Sequence, residues 1–261
     1  MHMDVNRMVD MLRGRHLVPD SCRAALLVGS AARGWSNRKS DLDIYLVCAE
    51  PWSGPESVEV PVPLRPPVIQ WESFYADNHS WDLAYWLDDQ VDQMLAKVSW
   101  DAFDPVRAES GDALGERDEI FLGRLATCVP LIGEEWLARR RAQLDTSAFR
   151  SILVARSLGS AGMAVEDTIG QMKDGDLNSA VLSARTALGH TVDALLEERG
   201  EYGSYTPKWR ARRFQVADPD ALSFAKYWDL ETMRDFDPDD PSKWISEVLT
   251  LCQDLSLKIE V

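Results

Sequence analysis

Positive charge, histidine, cysteine and long apolar runs are all scarce in this chain. Lysine and arginine number 28 against 43 aspartates and glutamates, a net charge of −15. Neutralising the phosphates of a nucleic-acid duplex needs a basic face, so such a substrate is disfavoured. An acidic cleft instead concentrates cations, which suits a cationic small molecule, although the same charge also serves a merely solubilising surface. The four cysteines, Cys22, Cys48, Cys128 and Cys252, are far apart in sequence and form no Cys-x-x-Cys pair. That excludes zinc-ribbon and thioredoxin-like motifs, and the cysteines read as reduced thiols. No apolar run approaches the ~18 residues of a membrane-spanning helix, and the N-terminal residues lack a charged-then-apolar leader. The expectation is a cytoplasmic protein with neither a membrane nor a nucleic-acid partner.

What the chain does have is length, apolar bulk and tryptophan. Its 261 residues suit one or two domains, and a chain of this size buries roughly 70–75% of its unfolded surface without a disulfide or metal staple. Ten tryptophans read mainly as core and interface packing, with one or two available to stack in a pocket. Val5, Met8, Val9 and Leu12 recur at helical spacing, with Asp4 as a cap and Gly14 as a stop. Residues 24–28, 41–48, 68–74 and 81–87 read as strands, and residues 49–67, with six prolines, as a loop or edge excursion. Residues 99–118 read as a long acidic loop.

From about residue 119 the period becomes helical, starting with Ile120, Leu122, Leu125 and Val129. A long amphipathic helix follows, capped near Thr146 or Ser147 and marked by Ile152, Leu158, Val165 and Ile169. Another opens at Asp176 and closes at Gly200, and a terminal one starts at Asp240-Pro241. A strand-containing half, residues 1–142, thus precedes an all-helical half, residues 143–261.

One stretch carries chemistry. Leu26-Leu27-Val28-Gly29-Ser30 is followed, after ten residues, by Asp41-Leu42-Asp43-Ile44-Tyr45-Leu46. Side chains two apart on a strand share a face, so Asp41 and Asp43 point into one site. Carboxylates so placed suit two Mg²⁺ ions about 3.5–4 Å apart, the arrangement that clamps both oxygens of a phosphoryl transfer. Gly29 lets the backbone approach a triphosphate, and Ser30 adds a hydroxyl and an amide. Gly34 ends that turn, and Arg33, Arg38 or Lys39 meets phosphate charge.

The full string resembles the signature of the DNA polymerase beta superfamily of nucleotidyltransferases. The resemblance implies an α/β (α+β) domain with a mixed sheet, Mg²⁺ dependence with two ions, and ATP as co-substrate. It also implies a third carboxylate on a neighbouring strand, acting as metal ligand or base. Asp82, within Trp81-Asp82-Leu83-Ala84-Tyr85-Trp86, matches best, and Glu72 is the alternative. Asp88, Asp89 and Asp92 read as a solvated helix start.

The layout, a small catalytic domain followed by an all-α helical bundle, is similar to that of aminoglycoside adenylyltransferases of the streptomycin/spectinomycin kind. Those enzymes place a Pro-Lys in a turn of the helical domain, and its lysine reaches the triphosphate. Tyr205-Thr206-Pro207-Lys208-Trp209 matches that turn, which implies this role for Lys208. Their catalytic glutamate downstream of the third strand has no match here. On the helix after Asp176, His190 shares a face with Thr186, Asp193 and Glu197, either solvated or reading a cationic substrate. Glu166 and Asp167 carry the same two readings, and the lone His79 reads as a loop residue in solvent.

The expectation is an adenylyltransferase acting on a small-molecule hydroxyl, in antibiotic resistance or in biosynthesis. The alternatives are modification of a protein partner in a toxin–antitoxin pair and a non-catalytic nucleotide-binding regulator.

Overall fold

A computed structural model describes residues 5–37, 39–54, 56–111 and 113–261. Asp4, expected to cap the first helix, and Arg38, a candidate phosphate partner, lie outside the described residues. The chain divides into two compact units, Met1–Ser99 with Arg117–Ser147, and Trp100–Glu116 with Ala148–Val261. The first is α/β with a mixed sheet and the second is helical, as expected. The division falls at 147/148 rather than 142/143, and residues 100–116 join the helical unit.

The sheet unit is built on β1 (Cys22–Val28) and β2 (Leu42–Cys48), whose apolar runs are buried on both faces. The six strands run in the order β3 (Val58–Pro61), β4 (Val68–Ala76), β5 (His79–Leu87), β2, β1, β6 (Val129–Ile132). Only β2 and β5 pair in parallel, and every other pair is antiparallel. On one face α1 (Val5–Gly14) seats Met8 and Leu12 against Leu27, Ile44 and Leu83. On the other, Phe121 of α5 (Glu116–Thr127) stacks on Tyr45 at 5.3 Å and meets Trp86 edge-on at 4.9 Å. That aromatic cluster accounts for part of the tryptophan content.

The proline-rich excursion includes edge strand β3, where Pro61 has no neighbour on its outer side to donate to. At the opposite edge the expected helical period is corrected. The helix ends at Thr127 and Val129 opens β6, whose Pro130 is likewise tolerated because the strand is an edge. In α3 (Asp88–Lys97), Asp89 is exposed as expected, whereas the half-buried Asp88 and the exposed Asp92 carry an ion pair. Both pair with the buried Arg140 of α6 (Glu134–Asp145), and Asp88 also accepts from Trp136 Nε1 at 3.0 Å.

The helical unit centres on α7 (Phe149–Lys173) and α8 (Leu177–Glu198), joined by a link short enough to make them antiparallel neighbours. α8 is capped by Asp176, which accepts from the Ser179 amide at 3.1 Å. Thr146 and Ser147 lie just before α7. Their hydroxyls donate back to carbonyls of the preceding helix, among them Ala142 and Leu144. The expected loop 99–118 holds a 3-10 turn and α4 (Pro105–Glu109), capped by Asp104. α4 packs so closely on α7 that a Cβ at Gly159 would lie 2.6 Å from the Glu109 carbonyl oxygen. Beyond α8 come α9 (Arg210–Ala217), α10 (Phe224–Glu231) and α11 (Pro241–Ser256).

Asp193 and Glu197 of α8 are neither solvated nor lining an open face. Asp193 is 1% exposed and accepts from Arg210 Nη2 at 2.7 Å and Arg213 Nη1 at 2.8 Å. Glu197 is fully buried, accepting from Ser157 Oγ at 2.7 Å, with Arg156 Nη2 at 3.5 Å. Burial, followed by the Asp193 charge, pushes the Glu197 carboxyl up to about 7 despite Arg156 and the serine hydroxyls.

A carboxyl raised in the folded state binds its proton there at a pH where the unfolded chain has lost it. Stability therefore falls as pH rises from the ordinary glutamate range to about 7. Glu197→Gln removes this loss. The variant is expected to match the wild type below about pH 4 and to exceed it by about 3 kcal/mol above pH 8. Urea unfolding across that range checks it, and a constant difference at all pH values contradicts it.

Candidate functional site

Strand register assembles the polar end of the sheet. Asp43 on β2 lies opposite Asp82 on β5 in the parallel ladder, and Asp82 lies opposite Ser73 on β4. Directly opposed residues point to the same face, so two carboxylates and a hydroxyl form one row. The Ser73 hydroxyl donates to Asp82 Oδ1, and the Trp71 indole N–H donates to Ser73 Oγ at 2.9 Å. Asp41 lies one residue before β2, exposed, at the i−2 position from Asp43. Glu72, the alternative third carboxylate, is directed to the opposite face. It sits opposite Leu83, is buried, and has its Oε2 unpartnered; burial, then Glu56, raises its carboxyl.

On β1, Val28 lies opposite Asp43 and hands the chain to Gly29. Gly29 has φ +67°, and a Cβ there would lie 2.7 Å from Asp43 Oδ2. Both facts require glycine, the first for backbone reasons and the second for space. Ser30 follows in the single turn α2 (Gly29–Ala32), where its carbonyl accepts from the Trp35 amide at 2.8 Å. Gly34, at φ +67°, closes that turn as expected. Arg33 lies over the Trp35 ring at 3.9 Å, and Lys39 is exposed, its amide bonded to Asn37 Oδ1 at 2.8 Å.

One residue of the site was not anticipated. Arg124 of α5 lies 3.6 Å from Asp43 Oδ1 and donates to the Tyr45 hydroxyl at 2.9 Å. Burial opposes its charge, but Tyr45 and Asp43 outweigh burial and hold it above its usual value. Burial raises the Tyr45 hydroxyl, so Tyr45 stays a neutral partner. The only sequence signal was an arginine interrupting an otherwise apolar helical stripe.

Carboxylate oxygens are the donors that Mg²⁺ takes, with one or two carboxylates supplemented by water and substrate phosphate. The row of Asp43 and Asp82, with Asp41 beside it, fits that donor chemistry. Among the described residues no three His, Cys, Asp or Glu side chains converge closely enough to cage a metal by themselves.

Within the helical unit, Lys208 stands in a 3-10 turn (Pro207–Trp209), exposed, its Nζ 5.7 Å from the Trp209 ring centroid. It lines a pocket of about 360 Å³ with Arg185, Arg210, Tyr227, Trp228 and Glu231. Of the neighbouring arginines, Arg212 is exposed and Arg213 is consumed by Asp193. His190 is partly buried, and burial, the largest influence on it, lowers its imidazole. Glu166 and Asp167 are exposed. His79 is not in a loop. It opens β5, with its Nδ1 2.7 Å from the Asp77 carbonyl oxygen.

No family model matches the chain, and no curated protein sequence matches it. Among solved structures it is similar to a nucleotidyltransferase-like protein from Exiguobacterium sibiricum, at 10% identity and a TM-score of 0.47, over 97% of this chain and 74% of that one. Among the described residues no helix is long and apolar enough to cross a membrane.

Gly29→Ala is expected to cost about 1–2 kcal/mol from the left-handed backbone alone, with a further loss from the collision with Asp43. Denaturant midpoints of the two proteins check this, and an unchanged midpoint would mean that the turn is relaxed.

Proposed function

We propose that this chain is a Mg²⁺-dependent nucleotidyltransferase that moves AMP from ATP onto a hydroxyl of a small molecule. The observation that carries the reading is the row of Asp43 and Asp82, in register on adjacent parallel strands beside the Gly29-Ser30 turn. Asp41, Asp43 and Asp82 would hold the metal, which, when bound, neutralises the triphosphate and polarises the α-phosphorus. Gly29 gives the triphosphate close access to the backbone, and the Ser30 hydroxyl and amide hydrogen-bond it. Arg33 and Lys39 supply positive charge toward the phosphates. A carboxylate of the row accepts the proton of the acceptor hydroxyl as its oxygen attacks the α-phosphorus in line and pyrophosphate departs. Ser73 and Arg124 fix the orientations of Asp82 and Asp43, so most of the rate comes from positioning and charge. In this reading Lys208 contributes to ATP affinity.

The acceptor that suits a net charge of −15 is a polyhydroxylated cation such as an amino sugar. Its role is then resistance or biosynthetic tailoring, and its binding weakens as salt rises. A neutral sugar acceptor would show little salt dependence, and a thermal-shift panel of cationic and neutral sugars with Mg²⁺ and a non-hydrolysable ATP analogue separates the two.

Asp43→Ala and Asp82→Asn are each expected to lower transfer by orders of magnitude while leaving a folded protein. The assay is pyrophosphate release with Mg²⁺ and ATP over a panel of aminoglycosides and amino sugars, with mass spectrometry of the products. Near wild-type turnover in both variants overturns the reading. Lys208→Ala is expected to weaken ATP binding by about 1–3 kcal/mol, and unchanged calorimetric affinity returns Lys208 to a surface turn.

A further inference from the structure

Cys22 and Cys48 are separated in sequence but directly opposed in the fold. They are Cα partners at the open end of the antiparallel β1–β2 ladder, beside an irregularity in register between Cys22 and Ala24. One step outside the pair, the Ala49 amide donates to the Ser21 carbonyl at 2.9 Å. A flanking bond of that kind marks a non-hydrogen-bonded site, where opposed Cα atoms stand roughly 4.5 Å apart and side chains come closest. That separation lies within the range a disulfide spans. Both pack on the same apolar cluster, Cys48 within it and Cys22 at its margin. All four cysteines are free thiols, as expected, but these two, distant in sequence, are neighbours in the fold.

We propose that Cys22 and Cys48 are a redox-modification site that closes a reversible cross-strand disulfide in response to a peroxide. Their surroundings divide the roles. Cys22 is partly exposed, within reach of a peroxide in solvent, and the neighbouring Cys48 lowers its thiol. Cys48 is buried from bulk solvent but lines a pocket of about 190 Å³ with Trp52 and Tyr85, and the Cys22 contact and burial hold its thiol up. Cys22 is therefore the attacking thiolate and Cys48 the resolving thiol.

The Cys22 sulfur attacks one peroxide oxygen, forming S–O and breaking O–O, and the departing hydroxide takes a proton to become water. The Cys48 sulfur then attacks the sulfenic sulfur, forming S–S and breaking S–O, and its own proton leaves with the hydroxyl as a second water. Two thiols lose two electrons and one hydrogen peroxide becomes two waters. Cys128 and Cys252, buried without a thiol partner among the described residues, serve as internal controls.

The test treats the folded full-length chain with hydrogen peroxide, blocks remaining thiols, and counts them after denaturation. Peptide mapping follows. The expected count falls from four to two, with a Cys22–Cys48 linked peptide lighter by two hydrogens and full recovery on adding dithiothreitol. Cys22→Ser and Cys48→Ser are each expected to abolish the linked peptide. Retention of four thiols by the folded wild type, under peroxide that oxidises the urea-denatured chain, overturns the proposal. So does linkage through Cys128 or Cys252. The readout is independent of nucleotidyl transfer, so its failure leaves the proposed function standing.

Discussion

Two carboxylates held side by side repel each other, and the sheet unit is arranged around keeping them so. Asp43 and Asp82 belong to strands whose parallel register is fixed by apolar neighbours buried beneath them, Ile44, Trp81 and Leu83. The charges face away from that core. Around them the chain supplies restraints from three further elements, the Ser73 hydroxyl from β4, the Arg124 guanidinium from α5 and the side-chain-free Gly29 from the end of β1. Each compensates one carboxylate or makes room for it.

How much of this was legible depended on whether the signal was local. Gly29-Ser30 and Asp41-x-Asp43 were readable because a turn and a strand have fixed periods, so spacing alone places those side chains. Asp82 was found through its apolar flanks, and Glu72 stayed an alternative because the two differ only by face, which strand phase decides once β4 pairs with β5. Arg124, Ser73 and Trp71 were not legible. Ser73 meets Asp82 only through the β4–β5 register, and Arg124 reaches Tyr45 from 79 residues further on, its one local signal, a break in an apolar stripe, not saying what it pairs with. The edge strand Val129–Ile132 was lost for a related reason, since four apolar residues after a helix extend its periodicity as readily as they start a strand.

The helical unit illustrates the opposite error, reading polar residues as solvated. Asp193 and Glu197 fall on one face of α8, and a helical wheel assigns that face to water. The later helix α9 covers it, and Arg210 and Arg213 arrive with the charge that Asp193 needs. Glu197 has a weaker arginine contact, and burial dominates its proton affinity. A buried ion pair contributes little net stability, but losing one partner costs several kcal/mol, about 3–5 in typical cases. These residues therefore define how the helices seat on one another more than how tightly they do so.

The single parallel pairing in the sheet makes the site an inspector of the molecule's own assembly. A slip of β5 by one residue against β2 would bring Trp81 or Leu83 opposite Asp43 and send Asp82 into the core. A form slipped by one residue cannot present both acids on one face, and with Trp81 drawn out of the core it also loses its largest fully buried side chain. The alignment that buries Trp81 and Leu83 is therefore the same one that sets Asp82 beside Asp43.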